Sequence, residues 1–152
     1  APGLWSEFDY DFSNAHFFYF TLFTSIYFDA LSYFHGATFT QDASFCRTTF
    51  TEYARFSGAK FTKDANFSGA KFTRSVNFSK AIFVHKPMFG KTEGPNLANP
   101  AKFSYKANPQ NYNFEVSHDS PYKIETREQE YNGVKFIIPE DAMLFDPDNP
   151  FA

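Results

Sequence analysis

The chain is poor in the residues on which most folds are built. It has a single cysteine, Cys46, in 152 residues. That excludes an internal disulfide framework and any zinc site made of several thiolates. Leucine, ordinarily among the commonest residues, appears only five times, and methionine twice. A strong excess of one charge is also missing. The net charge is −3, which excludes simple electrostatic capture of nucleic acid as the main activity, because that binding depends on Lys and Arg neutralising phosphates. Long apolar runs are absent. The longest uncharged stretch, Phe12 to Phe28, is 17 residues, at the short limit of a membrane helix. Its Ser13, Asn14, His16, Thr21, Thr24 and Ser25 argue against a span. What the chain has instead is aromatic rings: 23 Phe and 9 Tyr, with aromatics at 22% of the residues.

The phenylalanines are ordered. They fall at 12, 17, 23, 28, 34, 39, 45, 50, 56, 61, 67, 72, 78, 83 and 89, at intervals of 5 and 6 in strict alternation. This is an 11-residue period held for seven repeats. A second column runs two residues ahead of the first, with Ala15, Ala37, Ala43, Ala54, Ala59, Ala65, Ala70, Val76 and Ala81. An 11-residue period also suits a right-handed coiled coil. Gly36, Gly58, Gly69 and the many Thr and Ser of the repeat are poor helix formers, so that alternative fails. Residues two apart point to the same side of an extended chain. Each block therefore reads as a short extended face with one small and one large inward side chain, and Phe34, Phe39, Phe45, Phe50, Phe56, Phe61, Phe67, Phe72, Phe78 and Phe83 form the core ladder.

The pattern resembles the pentapeptide-repeat family in its Phe-centred variant, where blocks of 5 and 6 residues alternate. The resemblance covers about residues 12–90. It implies an all-β fold, a right-handed quadrilateral β-solenoid in which four blocks, or 22 residues, make one coil. Thr21, Ile26, Ser32 and Pro87 depart from the small-residue column, so irregular coils are expected there. Seven periods make about three and a half coils. The open ends of a solenoid expose apolar surface and need capping, which the flanks are expected to supply.

The remaining segments divide accordingly. Residues 1–11 are expected as an N-terminal cap or arm, 12–90 as the solenoid, and 91–121 as an irregular connector rich in Pro and Gly. Residues 122–138 read as a β-hairpin, because Asn132-Gly133 is a favoured two-residue turn and a β-branched, aromatic run follows it. Residues 139–152, punctuated by Pro139, Pro147 and Pro150, read as an extended tail. That tail either lies on the last coil as a cap or reaches onto a partner. Charge is also divided. Residues 12–91 carry a net +5, residues 92–152 a net −5, and the first eleven residues −3. Some pentapeptide-repeat proteins imitate DNA through a long acidic surface. A short, basic solenoid does not suit that role.

No catalytic constellation emerges, and the chain is not expected to be an enzyme. His16, His35, His85 and His118 lack metal-site spacing. Asp146-Pro147-Asp148 lacks the glycine and distal glutamate of a calcium loop. Cys46 has no evident histidine partner. Asn66 and Asn77 begin glycosylation-type triplets with a ladder Phe in the middle, which buries the acceptor region. Thr40, Thr51, Thr62 and Thr73 split onto two opposite faces, too few per face for an ice-binding plane. No cofactor and no metal are expected.

The outward positions of the first coil are unusual. Phe18, Tyr19, Phe20, Leu22, Tyr27 and Tyr33 stand where later coils carry polar residues, and contiguous exposed aromatics mark contact surfaces. Together with Leu144, Phe145 and Phe151 of the tail they are the candidate partner-binding residues. Leu4, Trp5 and Phe8, or the tail, are the alternative cover for the same patch. The expected function is a non-catalytic scaffold: an accessory subunit docking on a larger protein complex, membrane-embedded complexes included, with no transmembrane span of its own. The alternative is an autonomous exported protein binding an acidic ligand or polymer through the basic solenoid face, which includes Arg47, Arg55, Lys60, Lys63, Lys71, Arg74, Lys80, Lys86 and Lys91. A chain that begins at Ala1 rather than methionine is expected of a processed product, which favours an exported or organelle-lumen compartment.

Overall fold

In the computed structural model, which describes residues 9–93 and 96–149, the chain winds into stacked coils with four flat faces. The first face stacks Tyr10–Asp11, Ser32–Tyr33, Tyr53–Arg55, Ser75–Asn77 and Tyr112–Asn113. The second stacks His16–Phe17, Thr38–Phe39, Lys60–Phe61 and Ile82–Phe83. The third stacks Thr21–Leu22, Ala43–Ser44 and Ala65–Asn66, with Met88 bridging to Asn66. The fourth stacks Tyr27–Phe28, Thr49–Phe50, Lys71–Phe72, Lys102–Ser104 and Met143–Phe145. All pairings within these faces are parallel, and through the repeat each residue sits over the one 22 positions earlier, as Phe61 over Phe39.

The ladder phenylalanines fill the interior. Phe34 through Phe83 are fully buried at all ten ladder positions. Rings one coil apart lie parallel: Phe39 and Phe61 have centroids 4.7 Å apart and planes 3° apart. The distance follows from the backbone, since hydrogen-bonded strands are spaced ~4.8 Å apart. Rings across the bore meet edge to face, as Phe34 and Phe45 do at 5.5 Å and 87°, while rings five residues apart are tilted, as Phe34 and Phe39 are at 35°. Each ring thus has both of the arrangements that the aromatic quadrupole favours. The small column packs between these rings, with Ala37, Ala43, Ala54, Ala59, Ala65, Ala70 and Ala81 all buried, and it also takes Thr48 and Val76, likewise buried. The departures are accommodated. The hydroxyls of Thr21 and Ser32 donate to the carbonyls of Tyr19 and Ala30, at 3.4 and 3.1 Å.

The corners explain the alternation of 5 and 6. In each 5-residue block the amide three residues after the ladder Phe donates back to that Phe's carbonyl, as Ala37 does to Phe34 at 3.1 Å and Ala81 to Phe78 at 3.0 Å. The third residue of the turn has positive φ: Asn14, Ser25, Gly36, Arg47, Gly58, Gly69 and Lys80. These are type II turns, in which glycine or asparagine suits that position. The 6-residue blocks turn their corners with no positive-φ residue.

The winding goes beyond the ladder. Where a connector is expected at 91–121, the antiparallel pair Lys91–Glu93 and Asn96–Ala98 loops out of the fourth coil. The chain then returns to the stack. Phe103 lies 4.9 Å over Phe72, and Phe114 lies 6.1 Å over Phe78. Ala101 and Tyr112 take the small-column positions two residues earlier, both buried. The expected hairpin is present as Thr126–Tyr131 and Val134–Pro139, turning at Asn132 and Gly133, both with positive φ. It buries Phe136 and Ile138 against the end of the stack.

The tail corrects one expectation. Leu144 and Phe145 are not a free arm. Met143–Phe145 is the fifth strand of the fourth face, with Leu144 in register over Phe103, and both residues are buried. The physical reason is the cap: Phe103 would otherwise end its column exposed. Phe151, and the N-terminal Leu4, Trp5 and Phe8, lie outside the described residues.

Candidate interaction surfaces

The first coil has no coil beneath it among the described residues, and its rings show this. Phe12, Phe17 and Phe23 are half-buried, although each stacks on the ring above, Phe17 on Phe39 at 4.8 Å. Phe28 is buried, with the edge of Tyr10 against it at 5.0 Å. On the outer side, Phe18, Tyr19, Phe20, Leu22 and Tyr27 are 64–83% exposed. Phe18, Tyr19 and Phe20 make one corner, between the His16–Phe17 and Thr21–Leu22 strands. Tyr33 differs from the expectation. It is half-buried, its ring edge-on to His35 at 6.0 Å. Ile26, which belongs to the small column by position, is exposed and joins the patch. The tail residues lie at the other end of the stack, so the structure does not bring Leu144 and Phe145 to this patch.

From Phe20 and Leu22 a groove of about 420 Å³ runs up the third face, past Asp42, Ser44, Asp64 and Asn66 to Met88. Leu22, Ser44, Asn66 and Met88 follow one register column. Its ends are apolar and its middle polar. The Asp42 carboxylate accepts the Asp64 amide at 3.1 Å, and Asp64 lies 3.7 Å from His85. On the adjoining fourth face, Lys71 and Lys102 lie side by side in register. Arg74 of the same basic segment is paired with Glu52 at 2.9 Å, on the surface, where such a pair contributes little.

At the C-terminal end the hairpin is tied to the stack by polar contacts. Arg127 donates to the carbonyls of Ala142 at 2.6 Å and Glu140 at 3.1 Å. The rings of Tyr105 and Tyr131 stack at 3.9 Å. Lys106 pairs with Asp146 and Asp148. The amide of Asp148, the Tyr105 hydroxyl and the nearby Lys106 ammonium hold the Asp146 carboxyl below its ordinary range. Burial pushes the Tyr112 phenol up, and its hydroxyl donates to the Ser104 carbonyl at 2.9 Å. Among the described residues no helix is long and apolar enough to cross a membrane, and no group of three or more His, Cys, Asp or Glu gathers in a metal-binding arrangement.

The stacked parallel coils with four faces define a β-solenoid protein. The family model described as Pentapeptide repeats (9 copies) matches residues 23–71, and this supports the pentapeptide-repeat reading of the coils. Compared with curated proteins and with solved structures, the chain matches none. The solenoid is a structural and interaction fold, one not typical of enzymes.

Proposed function

We propose that this chain is a non-catalytic accessory subunit that docks on a larger protein assembly through the aromatic end of its solenoid. The supporting observation is the exposure of Phe18, Tyr19, Phe20, Leu22 and Tyr27, which run along the first coil from one corner over the third face to the fourth, at positions that the coils above fill with Thr40, Ser44 and Thr49. Apolar burial contributes ~25 cal/mol per Å², and large aromatic side chains supply most of it at interfaces. The solenoid holds these rings in a fixed array, so little entropy is lost on docking. The groove toward Met88 gives the same partner a second line of contact. A membrane-embedded complex in an organelle lumen or exported compartment suits this surface.

The test is native mass in gentle extracts of the source, for the parent chain and for a Phe18→Ser, Phe20→Ser, Leu22→Ser variant. The parent is expected in a large assembly and the variant alone near 17.5 kDa. A parent that runs alone removes the subunit reading. The adjacent Lys71 and Lys102, neither with an ion-pair partner among the described residues, favour a second reading, in which the basic face binds an acidic polymer. Salt separates the two. Docking through apolar rings survives high salt, whereas binding led by exposed charges weakens steeply.

A further inference from the structure

The end of the stack opposite the aromatic patch carries an unfinished sheet edge. On the first face each coil's ladder amide donates to the carbonyl of the coil above. Phe12 donates to Tyr33, Phe34 to Arg55, Phe56 to Asn77 and Phe78 to Asn113, at 2.7–2.9 Å. Phe114 is the fifth residue of this series, and its amide has no acceptor among the described residues. Elsewhere at this end Tyr122 and Ser120 bond to the backbone of Phe83, Ala101 donates to the Phe89 carbonyl, and Met143–Phe145 covers Lys102–Ser104. Tyr112–Asn113 is the last strand of the first face, because the hairpin pairs only with itself.

That edge is the floor of an open cleft of about 890 Å³, walled by the hairpin. Phe114, Val116, Ile124 and Ile137 line it with apolar surface, and Glu115 stands at its rim. Glu128 lies directly across from Ile137 on the hairpin. Neither glutamate has an ion-pair partner. Lys123, the cation in the cleft, is already occupied by the carbonyls of Ser117, His118 and Ser120. The Phe114 amide faces the position where the next coil's strand would run, and an added strand would supply its acceptor.

The geometry points to this cleft as a strand-addition site: it takes an extended, basic segment of a partner protein, which pairs in parallel with Tyr112–Asn113 and accepts the Phe114 amide. The segment alternates apolar and polar residues, one apolar side chain stacking on Phe114 and its cations meeting Glu115 and Glu128. Backbone pairing supplies affinity and the alternate side chains supply selectivity. The site is independent of docking at the first coil.

The probe is a nonapeptide copied from residues 73–81, the segment that occupies this position one coil below. It carries Val76 and Phe78 with Arg74 and Lys80. It is titrated into the full ¹⁵N-labelled chain. Saturable shifts confined to the amides of Phe114, Glu115, Val116 and Ile137 are expected. A peptide with proline in place of Asn77 should lose binding, and a Glu115→Lys, Glu128→Lys chain should bind at least ~10-fold more weakly. Both glutamates are exposed, so this variant keeps its fold. The proposal is overturned by no shift at millimolar peptide, by shifts at the Tyr10–Asp11 edge instead, or by equal binding of the proline peptide. It is equally overturned if decanoate saturates the cleft while the peptide does not, since the cleft is then a site for an apolar small molecule.

Discussion

Leu144 sits in register over Phe103, and with it a short strand near the C-terminus closes the fourth column of rings. Among the described residues, only the edge of the Tyr10 ring lies against Phe28 at the other end of the same column. The two ends of the solenoid are therefore unequal in chemistry. One is sealed by a strand and a hairpin, and the other presents rings. This inequality is the basis on which docking is proposed at the first coil rather than at the last.

The cost of removing a ring should follow its height in the stack. Phe61 lies between Phe39 and Phe83, at 4.7 and 4.9 Å, and is fully buried. Phe61→Ala should destabilise by ~3–5 kcal/mol. Phe17→Ala, at a half-buried position with a ring on one side only, should cost no more than ~2 kcal/mol. Urea unfolding of both variants checks the order, and equal losses would contradict the gradient.

Glycine should improve one corner. Lys80 is exposed and holds a positive φ of 61° at the turn position where Gly36 and Gly58 stand in the coils below. The left-handed conformation costs an L-residue ~1–2 kcal/mol, while glycine's extra freedom in the unfolded chain costs ~0.4–1 kcal/mol. Lys80→Gly should therefore stabilise by ~0.5–1 kcal/mol. The same change at Lys60, in a strand, should destabilise. Thermal midpoints of the two variants make the comparison.

Arg127 should act as the latch of the cap. Its guanidinium reaches two carbonyls of the 140–142 turn. Charged hydrogen bonds of this kind contribute ~1.5–3 kcal/mol. Arg127→Ala should speed hydrogen exchange in 142–145 and leave the central coils unchanged. Lysine should not restore protection, because it lacks the fork that spans both carbonyls.

Acid should loosen the tail. The carboxyl of Asp146 titrates below its ordinary range because the Asp148 amide, the Tyr105 hydroxyl and the nearby Lys106 favour its charged form. Its contribution is present above the ordinary carboxylate pKa of ~4 and is lost as the pH falls through the lower native value. Asp146→Asn should free the tail at pH 7, seen in the ring signals of Phe145. The difference from the parent chain should close as the pH drops below ~4.

The regular coils were legible because one residue type marks them. A strict Phe column with a small residue two ahead leaves a single way to wind the chain, and Asn132-Gly133 marks the hairpin as clearly. Phe103 and Phe114 were not legible, although they occupy the same columns. Lys102 lies 31 residues after its partner Lys71, and Tyr112 36 after Val76, where the repeat gives 22. Once a loop enters the coil the spacing carries no signal, and only the pairs Ala101 with Phe103 and Tyr112 with Phe114 betray the continuation. For the tail the sequence left a cap and a partner-reaching arm both open, because Pro147 and Pro150 allow either; Met143–Phe145 forms a strand on the last coil, as the cap reading has it. The outward aromatics of the first coil were visible as a break in the polar columns, and only Tyr33 is less exposed than its position suggests.

The hydrogen bonds between coils all run along the stack, and this gives the molecule a direction under load. Tension applied at its two ends pulls against one coil's ladder at a time instead of shearing all of them together. Each regular coil that gives way releases 22 residues, a tether of ~75 Å when fully drawn out. Through the regular coils the protein would lengthen under force in equal steps, while the looped last coil would release a longer piece and the coils not yet reached would keep their rings stacked.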